Sequence, residues 1–270
     1  TESERDPLDD DYICKSRYAS ISRYLNHPDL NDLPLRYNQT VLAQLSSDYP
    51  MIDTQLKLHL AHLFIRDPLV VYDGLINVPE GSYEHFENIQ STNWQTVRFK
   101  PPTSPVDGWR VEFRPMDIQF NDFENAAFAV WVCLYARIVS EYNLDFTVPI
   151  SKVDENMKLA EQRDAVLKEK LWFNLHGGIK EYPVNEIVTN INGHMKRYLE
   201  EKYKGQDYKR VLEYLDLVEK KSTGEEKTNA RFIRDFCTKH PEYKQDSKIS
   251  QKICDDLIGE ILRLDRPLQN

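Results

Sequence analysis

Trp109-Arg110-Val111-Glu112-Phe113-Arg114, the run WRVEFR, alternates strictly. Trp109, Val111 and Phe113 fall on one face of an extended chain, and Arg110, Glu112 and Arg114 on the other, as a period of two dictates. Trp94 to Lys100 (WQTVRFK) repeats the pattern: Gln95, Val97 and Phe99 point one way, Trp94, Thr96, Arg98 and Lys100 the other. Pro101 to Gly108 joins them in eight residues. That is too short for a parallel crossover, so the pair is expected to be antiparallel. If the two polar faces coincide, one surface collects three arginines, one lysine, one glutamate and an indole.

Around these strands the pattern is helical. Ser16 to Leu25 reads as a short helix, and Asn38 to Phe64 as a helical stretch broken near Tyr49-Pro50. Asn77 to Gln90 reads as irregular and polar. Asn121, with Glu124 three residues on, is placed to cap a helix from Asp122 to about Tyr142. That segment is apolar nearly all round and is expected to be the most buried helix. Ser151 to Leu171 reads as a further helix, its start marked by Ser151 and Asp154. Gly177-Gly178 reads as a break. Beyond it, amphipathic segments at Val184–Tyr203, Tyr208–Lys220, Lys227–Lys239 and Ser247–Leu264 are jointed at Gly205, Gly224 and Pro241. The fold class expected is α+β, mostly helical. Residues 1–11 form an acidic tail, 12–176 carry the strands, and 177–270 make a C-terminal helical region.

The chain has 270 residues, 35 basic and 44 acidic, for a net charge of −9. Non-specific nucleic-acid binding runs on clustered Lys and Arg, so no nucleic-acid partner is expected. There are 9 glycines, and neither GxGxxG nor GxxxxGK[ST] occurs, which excludes glycine-rich phosphate cradles. The longest apolar run, Ala126 to Ala136, has eleven residues against the roughly 20 a membrane span needs, so no membrane is expected. Cys14, Cys133, Cys237 and Cys254 fit no zinc spacing. They read as free thiols in the cytoplasm, Cys133 in a helix core, with a Cys237–Cys254 disulfide as the other option. Residue 1 is Thr, which reads as a processed chain or a fragment.

Several residues admit two readings. A carboxylate between two guanidiniums suits hard ligands: Glu112 can hold Mg²⁺, and the Arg114 fork can hold a phosphate or carboxylate. The simpler reading is a salt-bridge ladder on a solvated sheet face. Trp94 can stack on a base while Arg98 and Lys100 meet phosphates. The simpler reading there is an amphipathic strand. His59 and His62, spaced i, i+3 in HLAHLF, read as helix packing, since no third metal ligand is near in sequence. His85 reads as a polar-loop residue, and Asp154 and Glu155 as helix-start carboxylates.

Longer strings carry a resemblance. HFENIQSTNWQTVRFKPP (His85 to Pro102) and GWRVEFRPMDIQFNDFENAAF (Gly108 to Phe128) resemble the eukaryotic glutamate–cysteine ligase catalytic subunit. So do KSRY at Lys15, AHLFIRDPL at Ala61, VPISKVDENMKLAEQRDAVL at Val148 and HPEYKQDS at His240. The resemblance implies ligation of the γ-carboxyl of L-glutamate to L-cysteine with ATP and Mg²⁺, through a γ-glutamyl phosphate, at the start of glutathione biosynthesis. It implies a glutamine-synthetase-like antiparallel sheet to which this chain lends some strands. By the same resemblance Glu112 is a metal ligand, and Arg114 contacts the phosphoryl region and the glutamate. Trp94, Arg98 and Lys100 border the nucleotide.

Family enzymes are much longer, and this chain resembles their C-terminal part. An N-terminal part of the same enzyme is therefore an expected partner, with room for a regulatory subunit. The acidic metal-binding strand near the family's N-terminus is absent. The alternative is a non-catalytic interaction or regulatory module that retains the fold.

Overall fold

The computed structural model describes residues 23–65, 73, 77, 79–82, 84–92, 97–100, 102, 106–203, 205 and 207–264. Two compact units divide the chain: Thr1–Pro115 with Pro149–Asp154, and Met116–Val148 with Glu155–Asn270.

In the first unit, α1 (Gln39–Asp48) and α2 (Thr54–Leu63) are separated at the expected Tyr49-Pro50 break. Each has an amide- or carboxylate-bearing cap. Asn38 accepts from the Val41 N–H, and Asp53 accepts from the N–H groups of Gln55 and Leu56. The helix expected over Ser16–Leu25 falls mainly outside the described residues, and Arg23 to Leu25 are not helical. Asn77–Gln90 is not irregular throughout. A helix, α3 (Glu84–Thr92), begins at Glu84 and puts His85 on a helix, not in a loop. Its Ile89 packs with Leu63 of α2, Leu60 and Phe64. The strands β1 (Val97–Lys100) and β2 (Arg110–Phe113) pair antiparallel as expected.

The second unit opens on α4 (Asp122–Tyr142), capped by Asn121, whose side chain accepts from the Glu124 N–H. The Glu124 carboxylate does not complete a capping box. It pairs with Lys221 at 3.2 Å instead. The expectation that α4 is the most buried helix is overturned. Only Phe123, Ala127 and Ile138 are buried there, against six residues in α7 (Val184–Lys202). Much of the α4 surface is Ala129, Cys133, Ala136 and Ser140, small side chains of which the first three raise hydropathy but cost little when wet. Cys133 is accordingly exposed, not core. By length and composition α4 is also long and apolar enough to cross a membrane. Here it packs on α7 and on α8 (Tyr208–Thr223).

The single helix expected over Ser151–Leu171 is three elements: α5 (Ile150–Ala160), the short α6 (Ala165–Lys168), and a strand starting at Lys170. Asp154 and Glu155 therefore sit inside α5, not at a helix start. Glu155 accepts from Trp172 Nε1 at 2.7 Å. Gly177-Gly178 is no break between helices. It belongs to the turn of a hairpin of β3 (Lys170–Leu175) and β4 (Gly178–Pro183), in the register Leu175↔Gly178 to Lys170↔Pro183. The hairpin's inner face and α7 build the main core: Leu175, Tyr182, Ile187, Ile191, Met195 and Leu199, with Ile138 and Leu215 from α4 and α8. Asn192 is fully buried in it and satisfied on every side. It accepts from Trp131 Nε1 at 2.9 Å and donates to the Leu215 carbonyl and the Glu219 carboxylate. The last two helices are α9 (Asn229–Lys239) and α10 (Gln251–Arg263). Cys237 and Cys254 are free thiols, and Cys14 lies outside the described residues.

Candidate functional site

The β1–β2 register sets Arg98 opposite Glu112, and Lys100 opposite Arg110. Alternation then puts Arg98, Lys100, Arg110, Glu112 and Arg114 on one face. The two predicted polar faces therefore coincide over the described residues. Trp94, predicted to share that face, lies outside them.

Glu112 is the hub. One carboxylate oxygen lies 3.2 Å from Lys100 Nζ and 3.9 Å from Arg98, and the other lies 3.5 Å from Arg114. The Arg114 and Arg98 side chains are mostly covered, 12% and 18% exposed, so their charges are poorly solvated. Burial alone would raise the Glu112 carboxyl. The hydrogen bond from Lys100 and the charges of Arg114, Lys100 and Arg98 outweigh it and hold the group below its ordinary value. Arg98 moves below its own usual value, first through burial and then through repulsion by Arg114 and Arg110, which Glu112 only partly offsets.

Three cations thus surround one carboxylate, with Arg110 further along the same face. Partly covered positive charge in that excess favours a ligand carrying several negative oxygens, and two arginine forks and a lysine are suited to phosphate or carboxylate. For a divalent cation the same set is incomplete. Both Glu112 oxygens already face cations. Among the described residues no three His, Cys, Asp or Glu side chains are grouped to hold a metal. Glu112 fits as one ligand of a shared site, not as a site by itself. His59 and His62 make no metal centre either: both are buried, and His62 Nδ1 contacts the Arg36 carbonyl at 2.8 Å.

The opposite face of the ladder is apolar and open. Val111 is 69% exposed, Phe113 and Trp109 each 45%, and Val97 39%. Two strands alone are marginally stable in water, and such a face normally packs on something.

The glutamate–cysteine ligase family profile matches residues 1–264. The catalytic subunit of glutamate–cysteine ligase from Mus musculus is 43% identical over 91% of this chain, and the match covers 44% of the mouse protein. The Homo sapiens subunit gives the same figures, 43%, 91% and 44%. Glutamate–cysteine ligase from Schizosaccharomyces pombe is 39% identical over 93% of this chain and 42% of its own length. The chain therefore spans less than half the length of these curated relatives.

Proposed function

The chain belongs to the glutamate–cysteine ligase family, and we propose that it supplies the phosphoryl-handling strands of the ATP-dependent ligation of L-glutamate to L-cysteine in glutathione synthesis. The observation that carries this reading is the charged face on which Arg98, Lys100 and Arg114 gather around Glu112, with Arg110 beside them.

A carboxylate is a poor electrophile. Transfer of a phosphoryl group to the γ-carboxylate of glutamate makes an acyl phosphate, which the cysteine amine then attacks with loss of phosphate. Negative charge collects on the phosphoryl oxygens during transfer, and fixed cations aimed at it lower the barrier. Arg114 binds two oxygens of the transferring group or of the substrate carboxylate through its fork. Lys100 and Arg98, on the neighbouring strand, hold the nucleotide phosphates. Trp94, two residues before Thr96 in the same run, borders the base. Glu112 pairs with three of these cationic heads until the anion takes its place. Mg²⁺, when bound, neutralises phosphate charge, with Glu112 as one of its ligands and the others drawn from outside the described residues.

The open apolar face of β1–β2 supports a covering layer of further family polypeptide, and the marginal stability of two strands alone supports a place in a larger antiparallel sheet of the glutamine-synthetase kind. Free thiols at Cys133, Cys237 and Cys254 are in keeping with a cytoplasmic setting. A second reading, a non-catalytic module that keeps the fold, draws on the single carboxylate at the site.

The test is calorimetric titration of the purified chain with ATP, next to an ADP-release assay with glutamate, cysteine and Mg²⁺. We expect saturable, salt-sensitive ATP binding that weakens about tenfold in Arg114→Lys, because a point charge cannot replace the fork. We expect no ADP release by this chain alone. Absence of ATP binding overturns the phosphoryl-handling role, and turnover by the chain alone overturns the shared site.

A further inference from the structure

A cleft of about 360 Å³ lies along α9 in the second unit and uses no residue of the β1–β2 ladder. Phe232, Phe236 and Pro241 give it an apolar lining. Phe232, Phe236 and Lys239 are spaced i, i+4, i+7, so one stripe of α9 presents two rings and then an ammonium. Phe232 is steadied by an edge-to-face contact with Phe120, their centroids 5.4 Å apart.

The charges around the cleft are unbalanced. Asp235 is bound by Lys227 at 2.7 Å and approached by Arg231 at 4.0 Å, and the charge of Lys239 reaches it as well. Lys227, Arg231 and Lys239 thus stand around Asp235, while the other carboxylate that lines the cleft, Glu260, has its own cation. The side chain of Lys239 is exposed and, beyond that longer-range attraction to Asp235, makes no hydrogen bond or close ion pair among the described residues. Other polar groups at the cleft are already committed. Glu260 pairs with Arg263 at 2.8 Å. His240 meets Asp256 through Nε2 at 3.1 Å, and its Nδ1 accepts from the Glu242 N–H at 3.2 Å. What remains for a ligand is an aromatic floor and one uncommitted cation at its edge.

We propose that this cleft binds a small organic anion with a flat apolar body, of which an aromatic carboxylate is the simplest member. The ring lies against Phe232 and Phe236, and the carboxylate meets Lys239. Concave, mostly apolar sites with a few placed polar groups take ligands of this kind, and the rim charge selects the anion over a neutral analogue.

The experiment is calorimetric titration of the whole chain with 2-naphthoate at neutral pH and low salt, beside the neutral analogue 2-naphthol. We expect one saturable site with a dissociation constant of about 1 mM or tighter, and about tenfold weaker binding of 2-naphthol. Lys239→Glu, a change on an exposed helix surface that leaves the fold intact, should weaken naphthoate about tenfold and leave naphthol nearly unchanged. Phe236→Ala should weaken both. No saturable binding, equal affinity for the two probes, or an unaltered Lys239→Glu overturns the proposal. ATP binding at the β1–β2 ladder stands or falls separately.

Discussion

Glu112 makes its shortest ion pair, 3.2 Å, with Lys100, which lies diagonally across the ladder, and not with Arg98 directly opposite at 3.9 Å. The carboxylate is thereby shared among three cations and competes with any anionic ligand for them. Glu112→Gln should remove that competition. Metal-free ATP should then bind several-fold more tightly, while added Mg²⁺ should no longer improve binding. The fold should survive, because the side chain is 34% exposed and its pairs are partly screened. The pH dependence has a definite sign. The folded-state carboxyl sits below its ordinary value, so its ion pairs are present above the unfolded value and are lost as pH falls through the lower, folded one. Titration calorimetry with and without Mg²⁺ checks this, and weaker metal-free binding in the variant would sink it.

His59 gives the first unit an acid-sensitive point. Its ring is 6% exposed, and its buried Nδ1 has no hydrogen-bond partner among the described residues. Burial, then the charges of His62 and Arg23, push it down to about 4 from 6.5. The unfolded chain therefore binds the proton first. Stability is full above the unfolded value and falls as pH drops from 6.5 toward 4. At one pKa unit per 1.36 kcal/mol the loss tends to about 3 kcal/mol at the acid end. His59→Leu should flatten this part of the profile. Urea unfolding of both proteins at about pH 7 and about pH 4.5 measures it. Identical pH profiles would rule His59 out.

Lys221 and Glu124 form a covered pair in the second unit, side chains 8% and 16% exposed and 3.2 Å apart. Lys221 Nζ also donates to the Lys227 carbonyl at 3.1 Å, which ties α8 to the entry of α9. Lys221→Met leaves a carboxylate and a carbonyl short of a donor, and should cost about 3–5 kcal/mol. Adding Glu124→Leu should return much of that loss, since the stranded charge goes with it. A denaturation double-mutant cycle decides: simple additivity would mean that the two residues do not act as a pair.

What was legible in the sequence, and what was not, follows from the range of each signal. The alternation of WRVEFR and VRFK needs only period two, so the shared charged face could be read directly. Which cation sits nearest Glu112 could not, because the Pro101–Gly108 connection does not fix register. The β3–β4 hairpin was missed because the apolar Trp172 interrupts the alternation of Leu171, Phe173 and Leu175, and the run then also fits a helix. Burial of α4 was misjudged because Ala129, Cys133 and Ala136 score as apolar yet stand in solvent. The metal set was out of reach for another reason: one carboxylate on a strand says nothing of ligands elsewhere.

The turn of that hairpin offers the sharpest local test. His176 and Gly177 both have positive φ, 54° and 75°, in a two-residue loop. That is the backbone of a type I′ turn, whose twist matches the flanking strands. Gly177 pays nothing for this conformation, and a Cβ built there would meet no atom within 4 Å. The cost of Gly177→Ala is therefore conformational and not steric, about 1–2 kcal/mol. His176 pays part of the same cost in the wild type. His176→Asn should recover a few tenths of a kcal/mol, because Asn tolerates the left-handed region better. Opposite signs for the two substitutions, read from urea midpoints, are the expected result. Gly177→Ala without effect would mean that this turn does not hold the positive φ values in solution.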